Sequence, residues 1–274
     1  MHWTIESKGL RTVRCRDCGL VYQSDPSQSI AKLYGPAYHN FMDTPQAAES
    51  KRDTCSALLR KVPCPSENAR FLDIGCGLGY SLEVANVMGY EAWGVEFSAA
   101  LEERLKTRWG ERVRIGDFME INLPVGSYDT ILLMDSIEHF LDPLEVLKRC
   151  RASLRPGGWL ILATPNFDSW VRRILGKRWE QFKAEHIFYF TFKNLSRALE
   201  RLGFCVTYGG LFWKKLPIGY FLETVRRFDP WLVPHRLIGF LKRLPTVWKF
   251  KLWLPTDGFV LLARKRKNET ESSK

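Results

Sequence analysis

From Ala69 onward, apolar runs and helix-spaced stretches alternate at a regular interval. Arg70–Ile74 is a short apolar run that stops at a glycine-rich turn, and it reads as a strand. Tyr80–Met88 follows with helical spacing and is closed by Gly89. Glu91–Glu96 reads as a second strand, Ser98 as the N-cap of a helix running to about Trp109, and Val113–Ile115 as a short third strand. Tyr128–Met134 is apolar almost throughout, as a strand buried on both faces should be. Asp142-Pro143 opens a helix with proline early in its first turn. Pro156-Gly157-Gly158 turns into a strand over Trp159–Ala163, Phe192–Leu202 is a helix closed by Gly203, and Phe204–Tyr208 and Gly258–Arg264 are two further strands. This alternation predicts an α/β fold with a doubly wound sheet of seven strands.

The pattern changes on either side. Residues 1–26 carry Cys15-Arg-Asp-Cys18-Gly19 and then apolar positions, which reads as a hairpin bearing half of a zinc knuckle. A structural zinc site needs four ligands. No second Cys-x-x-Cys exists, Cys55 and Cys64 are badly spaced, and His2 is the only extra donor nearby, so two free thiols are expected and no metal is assigned. Residues 27–66 read as a helical N-terminal cap, with Tyr34-Gly-Pro-Ala-Tyr38 and then a helix from about Pro45 to Lys61. Ala48, Cys55, Leu58 and Leu59 share one face of that helix, and Pro63 and Pro65 end it. The sheet-bearing core is placed at 67–210. Residues 211–255 are rich in aromatic, leucine, proline and basic residues, and read as an insertion of short helices before the last core strand at 256–266. The polar tail, 267–274, is expected to be disordered.

Composition narrows the class. At 274 residues, 45% hydrophobic and 26% charged, the chain can bury one core with appendages. No apolar run reaches the ~20 residues of a bilayer span. Met1-His-Trp-Thr-Ile-Glu6 lacks the apolar stretch and small-residue cleavage site of a signal peptide, so a cytoplasmic location is expected. Seven cysteines at irregular spacing fit reduced thiols. The net charge of +11 is unevenly placed, because residues 211–274 carry 14 Lys/Arg against 5 Asp/Glu, a balance of +9. That suggests an anionic partner: a phosphorylated substrate, an acidic membrane surface or a nucleic acid. An insertion of this kind can form a lid, lie peripherally on a membrane, or simply pack on the core as a solvated basic face.

Open α/β sheets bind ligands beyond the carboxyl ends of their strands. The polar residues at those ends are therefore the candidates. After the first strand come Asp73 and glycines 75, 77 and 79, where the backbone can approach a ligand closely. Glu96 ends the second strand and can take both hydroxyls of a ribose. Gly116-Asp117-Phe118 follows the third, with a carboxylate and an aromatic face for a purine. Asp135-Ser136-Ile-Glu-His139 follows the fourth, and Thr164-Pro-Asn166 the fifth. Each has a bland alternative: Asp117 as a turn residue, Phe118 as core, Glu96 as a helix-start carboxylate. Their common placement at one sheet edge argues for a nucleotide-like ligand.

In these residues the sequence resembles the class I S-adenosylmethionine-dependent methyltransferases. The matching stretches are Leu72–Gly79, Gly94-Val-Glu-Phe-Ser98, Gly116-Asp117, Tyr128-Asp-Thr-Ile, Ser136-Ile-Glu-His-Phe140 with Asp142-Pro143, Leu154-Arg-Pro-Gly-Gly158 and Thr164-Pro-Asn166. Glu185-His-Ile-Phe-Tyr-Phe-Thr191 and the segment ending Asp257-Gly-Phe-Val further resemble ubiquinone-type O-methyltransferases and methyltransferases of bacterial glycan or natural-product pathways. The resemblance spans about residues 11–265 and implies a Rossmann-like fold with S-adenosylmethionine as cofactor. It implies that Asp73, Gly75, Cys76, Gly77 and Gly79 line the methionine part. Glu96, flanked by Phe97 and Ser98, would bind ribose, Asp117 and Phe118 would hold adenine, and Asp135 and Ser136 would sit near the acceptor. G-x-G-x-G followed by Tyr80, rather than G-x-G-x-x-G, argues against a nicotinamide enzyme. Two features depart from the family: the missing partner pair of the Cys15/Cys18 knuckle, and Ser136 where relatives often carry an apolar residue.

Methyl transfer from a sulfonium is an in-line displacement, for which the protein chiefly aligns donor and acceptor. A hydroxyl acceptor gains from a general base, and His139 and His186 lie in suitable places, either as that base or as loop-pinning residues. Tyr34, Tyr38 and Tyr189 are candidate pocket walls. Three functions compete: O-methylation of a small-molecule, glycan or lipid-linked acceptor; methylation of RNA or DNA through the basic C-terminal region; and cofactor binding without catalysis. Asp135-Ser-Ile-Glu stands where amino-methylating enzymes of bases carry Asn/Asp-Pro-Pro-Tyr, which disfavours a nucleic-acid partner. The complete Gly/Glu/Asp set disfavours the non-catalytic reading.

Overall fold

The computed structural model describes residues 4–7, 9–26, 44–63, 66–228 and 233–267; His2, Tyr34, Tyr38, Cys64, Pro65 and the tail from residue 268 lie outside the described residues. Three short antiparallel strands open the chain: β1 (Thr4–Ser7), β2 (Leu10–Arg14) and β3 (Val21–Gln23). Helix α1 (Pro45–Leu59) begins at an N-cap, Thr44, whose hydroxyl accepts from the Ala47 N–H at 3.2 Å. The expected face of Ala48, Cys55, Leu58 and Leu59 is buried.

The alternating core follows as β4 (Arg70–Ile74), α2 (Tyr80–Val87), β5 (Glu91–Glu96), α3 (Glu102–Trp109), β6 (Val113–Ile115), β7 (Tyr128–Met134), α4 (Pro143–Ser153) and β8 (Leu154–Pro165). Then come α5 (Trp170–Leu175), β9 (Phe188–Tyr189), α6 (Phe192–Arg201), β10 (Phe204–Pro217), α7 (Ile218–Phe228), α8 (His235–Lys242), α9 (Pro245–Lys249) and β11 (Lys251–Lys265). Asp142 caps α4 by accepting from the Glu145 N–H at 2.9 Å, and Thr191 with Asn194 forms a reciprocal capping box on α6.

Seven strands form one sheet in the order β10-β11-β8-β7-β4-β5-β6. β6, β5, β4, β7 and β8 run parallel, while β11 is antiparallel to both β8 and β10. The sheet is covered on both faces, as the apolar run of β7 requires. Leu132 and Met134 pack into one core with Leu58, Leu82 and Leu105 from α1, α2 and α3. Ile131 and Leu133 point into the other, with Leu147 of α4 and Leu199 of α6. Strand order reverses at β4, which lies between β5 and β7, and a crevice opens there beyond the carboxyl ends.

Four elements differ from the sequence reading. Ser98 makes no side-chain cap; it precedes a 3-10 turn at Ala99–Leu101, and α3 starts only at Glu102. β8 begins at Leu154, so Pro156-Gly157-Gly158 lies inside the strand rather than before it. β10 and β11 are much longer than expected and pair from Phe204↔Lys265 out to Pro217↔Lys251, with irregularities between Val206 and Tyr208 and between Leu211 and Trp213. The insertion is therefore a two-stranded arm carrying helices only over 218–250. Backbone pairing continues past the core because each arm strand satisfies the other's ladder.

The N-terminal hairpin is a sheet of its own, ordered β1-β2-β3-β9, and it clasps the segment leading to β9. Cys15 and Cys18 sit in its β2–β3 turn as free thiols. Gln23 Nε2 donates to the backbone oxygens of Lys183, Ala184 and His186 at 3.0, 3.1 and 2.8 Å.

Candidate active site

Asp73, the last polar residue of β4, is 2% exposed and accepts a short hydrogen bond from the Ser81 hydroxyl at the start of α2. Its other oxygen, Oδ1, has no protein partner. Burial lifts its pKa to about 6, against the opposing pull of Ser81 and Lys51. The glycine turn folds back on β5, with the N–H groups of Gly75 and Cys76 donating to the Val95 carbonyl at 2.9 and 3.0 Å. Gly75 has φ +84, and a Cβ there would stand 3.0 Å from the Ser136 Cβ, so only glycine lets the turn cross β7's end. A Cβ on Gly77, at φ +54, would meet nothing within 4 Å. That opening, beside the unpartnered Asp73 oxygen and the buried, unpartnered Ser136 hydroxyl, is a cradle with room and polar atoms for a ligand.

Glu96 closes the turn from the β5 side. Oε2 accepts from the Gly77 N–H at 2.7 Å and Oε1 from the Ser98 N–H at 2.9 Å. Cys76 is buried, its sulfur packed toward Gly94, where a Cβ would approach to 2.8 Å. Asp117 accepts from the Met119 N–H at 2.8 Å and fixes the loop after β6. Phe118 is only 2% exposed, edge-on to Phe140 and beneath the Arg149 guanidinium, whereas Phe97 is 39% exposed. Of the two rings at the cavity, Phe97 is the more exposed.

The β7 end carries the strongest electrostatics. Asp135 adopts φ +55, the left-handed region that costs a non-glycine residue about 1–2 kcal/mol. Its carboxylate accepts from Lys214 Nζ at 2.7 Å, with Lys51 Nζ at 3.9 Å. Burial would raise its pKa, but Lys214 and Lys51 outweigh that and hold it well below the usual carboxylate range. Three residues on, Glu138 is 1% exposed. Thr164 donates to its Oε2 at 2.9 Å, and Oε1 has no hydrogen-bond partner. Burial, reinforced by Asp135, lifts Glu138 to about 8.

His139 and His186 come together, their rings edge-to-face at 4.9 Å between centroids. Burial and then Lys183 hold His139 down to about 4, and burial and then His139 hold His186 well below its usual value. Both imidazoles are therefore neutral at neutral pH and present lone pairs. Glu138, His139 and His186 each offer a ligand atom within 4.8 Å of the others, and among the described residues they are the one group of three able to hold a metal ion. Sequence reasoning assigned no metal, passed over Glu138, and named neither Lys51 nor Lys214. Glu138 stands next to His139 in the sequence, a signal that was there to use. Lys214 comes from β10, and nothing near Asp135 in the sequence announces it.

These residues line one cavity of about 1660 Å³, above the ~300–1,000 Å³ of a usual small-ligand pocket. Every expected cofactor residue except Asp73, Gly79 and Ser98 borders it, and so do both histidines. Gly79 lies just behind, as the N-cap of α2. Tyr189 is not on the cavity wall; it is 2% exposed, in a separate cluster with Trp179 and Phe182.

Residues 46–208 match the family model described as a methyltransferase domain. The chain belongs to this methyltransferase family. Its fold is that of solved S-adenosylmethionine-dependent methyltransferases. The methyltransferase is 33% identical over 140 residues to a ubiquinone biosynthesis O-methyltransferase of Cereibacter sphaeroides, a match covering 48% of this chain and 54% of that protein. It spans about half the length of the curated relatives it matches. A solved SAM-dependent methyltransferase from Archaeoglobus fulgidus superposes with a TM-score of 0.56 at 24% identity, over 83% of this chain and 99% of that one. A Haemonchus contortus phosphoethanolamine N-methyltransferase 2 solved with S-adenosyl-L-methionine gives 0.53 at 15% identity, over 97% of this chain and 71% of that one. Both likenesses are in fold. The described residues include no helix long and apolar enough to cross a membrane.

Proposed function

We propose that this methyltransferase acts on a hydroxyl oxygen of a largely apolar small-molecule or lipid-linked acceptor. One observation carries the reading. The cavity joins the glycine turn at Gly75–Gly77 and the polar strand ends at Glu96 and Asp117 to an apolar half walled by Leu216, Phe221, Val225 and Leu254, and the two neutral histidines border the same space. The relatives named O-methyltransferases support oxygen as the accepting atom. Glycan acceptors fit the apolar half less well.

S-adenosylmethionine supplies a methyl group activated on a sulfonium. In this reading Asp73, Cys76 and the glycines at 75, 77 and 79 hold its methionine part, Glu96 its ribose, and Asp117 with Phe118 its adenine. Phe97, Ser98, Asp135 and Ser136 border it. The acceptor oxygen bonds to the methyl carbon as the carbon–sulfur bond breaks, and its proton passes to the neutral imidazole of His139 or His186. Lys214 and Lys51 keep Asp135 ionised beside the reaction. Incubating the protein with methyl-labelled S-adenosylmethionine and cell extract split into lipid, glycan and RNA fractions tests the assignment. Label in the lipid fraction supports it, and label in RNA overturns it in favour of the basic-region reading.

The unpartnered Glu138 Oε1 and His186 Nδ1 favour a second reading of the same trio, as ligands of a divalent cation. Elemental analysis of the purified protein separates the two. Stoichiometric metal that is lost in Glu138→Ala supports ligation, and a metal-free active protein supports the acid–base role.

A further inference from the structure

The helices on the β10/β11 arm turn apolar side chains outward. In α8, Ile238 is buried at 3%, while Leu237 and Phe240 are 42% and 59% exposed. Leu244 continues their spacing beyond the helix end, and Val247 and Phe250 extend the surface through α9, with Phe250 58% exposed. A monomeric protein rarely leaves such a cluster to water. The same unit is basic: Arg236, Arg243 and Lys249 are exposed and form no ion pair among the described residues. α7 packs against both α8 and α9, and its Phe221 and Val225 line the cavity. Another part of the cavity wall comes from α5, whose Trp170 and Ile174 are 63% and 74% exposed and whose neighbours Arg173, Lys177 and Arg178 face solvent. Exposed apolar groups beside cations that form no ion pair among the described residues therefore stand on α5, which walls the active-site cavity, and on α8 and α9, which pack on the cavity-lining α7.

We infer that residues 218–250 seat this methyltransferase on an anionic phospholipid bilayer. The aromatic side chains enter the headgroup–acyl boundary and the basic ones meet the lipid phosphates. A second protein would need a complementary acidic apolar groove, whereas an anionic bilayer supplies both properties at once. In that pose the cavity wall formed by Phe221 and Val225 lies against the membrane, and a lipid-borne acceptor enters without crossing water. That delivery rests on the hydroxyl-acceptor reading above, but the docking itself does not.

Co-sedimentation of the full chain with vesicles tests it, comparing phosphatidylcholine alone with phosphatidylcholine mixed with phosphatidylglycerol. The protein should sediment with the mixed vesicles and be released by salt, since each basic residue near the surface strengthens binding about fivefold. Arg236→Glu with Arg243→Glu and Lys249→Glu should weaken it at least about 100-fold, and Phe240→Ser with Phe250→Ser about tenfold or more. Titration of each variant with S-adenosylhomocysteine should match the parent, which shows the fold intact and keeps this test apart from that of the reaction. Three results would overturn the inference: equal binding to both vesicle types, a charge-reversed variant that still sediments, or a stable dimer in solution dissolved by the Phe240→Ser/Phe250→Ser pair.

Discussion

Glu96 is the most constrained member of the proposed cofactor wall, and its replacement has a calculable effect. Its two oxygens bridge the Gly77 and Ser98 N–H groups at 2.7 and 2.9 Å, on a side chain 6% exposed. Hydrogen bonds to a charged acceptor contribute ~1.5–3 kcal/mol each. Glu96→Gln keeps the shape and one acceptor but turns an NH2 group toward a backbone N–H. One buried donor is then left without an acceptor, at a cost of ~1–3 kcal/mol. If the same carboxylate also receives the ribose hydroxyls, that charge is lost to the ligand as well. The expected result is S-adenosylhomocysteine affinity ~10-fold to 100-fold weaker by calorimetry, since 1.4 kcal/mol is tenfold. The melting temperature of the free protein should also fall, with Glu96→Ala worse on both counts. A Glu96→Gln protein that binds within about twofold of the parent would refute the reasoning, because nothing else at that position can take the carboxylate's place.

Asp73 makes a pH prediction. Its folded-state pKa of about 6 lies above the ordinary 3.8, so the free protein binds the proton more tightly than the unfolded chain does. Stability should then fall as pH rises from about 4 to about 6, by ~3 kcal/mol in all, and Asp73→Asn should flatten that slope in thermal melts. Affinity for the cationic cofactor should rise as pH passes through about 6, where the folded-state carboxylate ionises. Gly77→Arg should still fold, with a melting point lowered by the ~1–2 kcal/mol strain of a side chain at φ +54 although nothing lies within 4 Å of a Cβ there, and should bind no S-adenosylhomocysteine. His139→Gln and His186→Gln should each retain cofactor affinity; whichever residue is the base should lose ~10²–10⁴ in turnover. Lys214→Met should raise the apparent pKa of Asp135, seen by carboxyl-labelled NMR as a titration moved toward the ordinary range.

The core was legible because its strands are parallel and doubly covered. β4 and β7 appear as apolar runs, and the glycine turn with Glu96 and Asp117 recurs at successive strand ends, so topology alone gathers them. The arm was not legible. Phe212-Trp-Lys-Lys and Trp248-Lys-Phe-Lys-Leu-Trp253 have a composition that suits amphipathic helices, and only pairing between β10 and β11 makes most of these residues strand. The same is true of the hairpin at the N-terminus. Its Cys-x-x-Cys drew attention to metal, while Gln23 and the β3–β9 pairing bring it against the His186 loop. Ion pairs such as Lys214–Asp135 follow from tertiary placement, and periodicity carries no trace of them.

The most direct test of the account is the position of the transferred methyl. Reaction with trideuteromethyl-labelled S-adenosylmethionine and a lipid extract, followed by fragmentation mass spectrometry, should place the trideuteromethyl group on an oxygen of an organic-soluble product. It should be absent when His139 and His186 are both replaced by glutamine. A label found on nitrogen or carbon, or on a nucleoside, would contradict it.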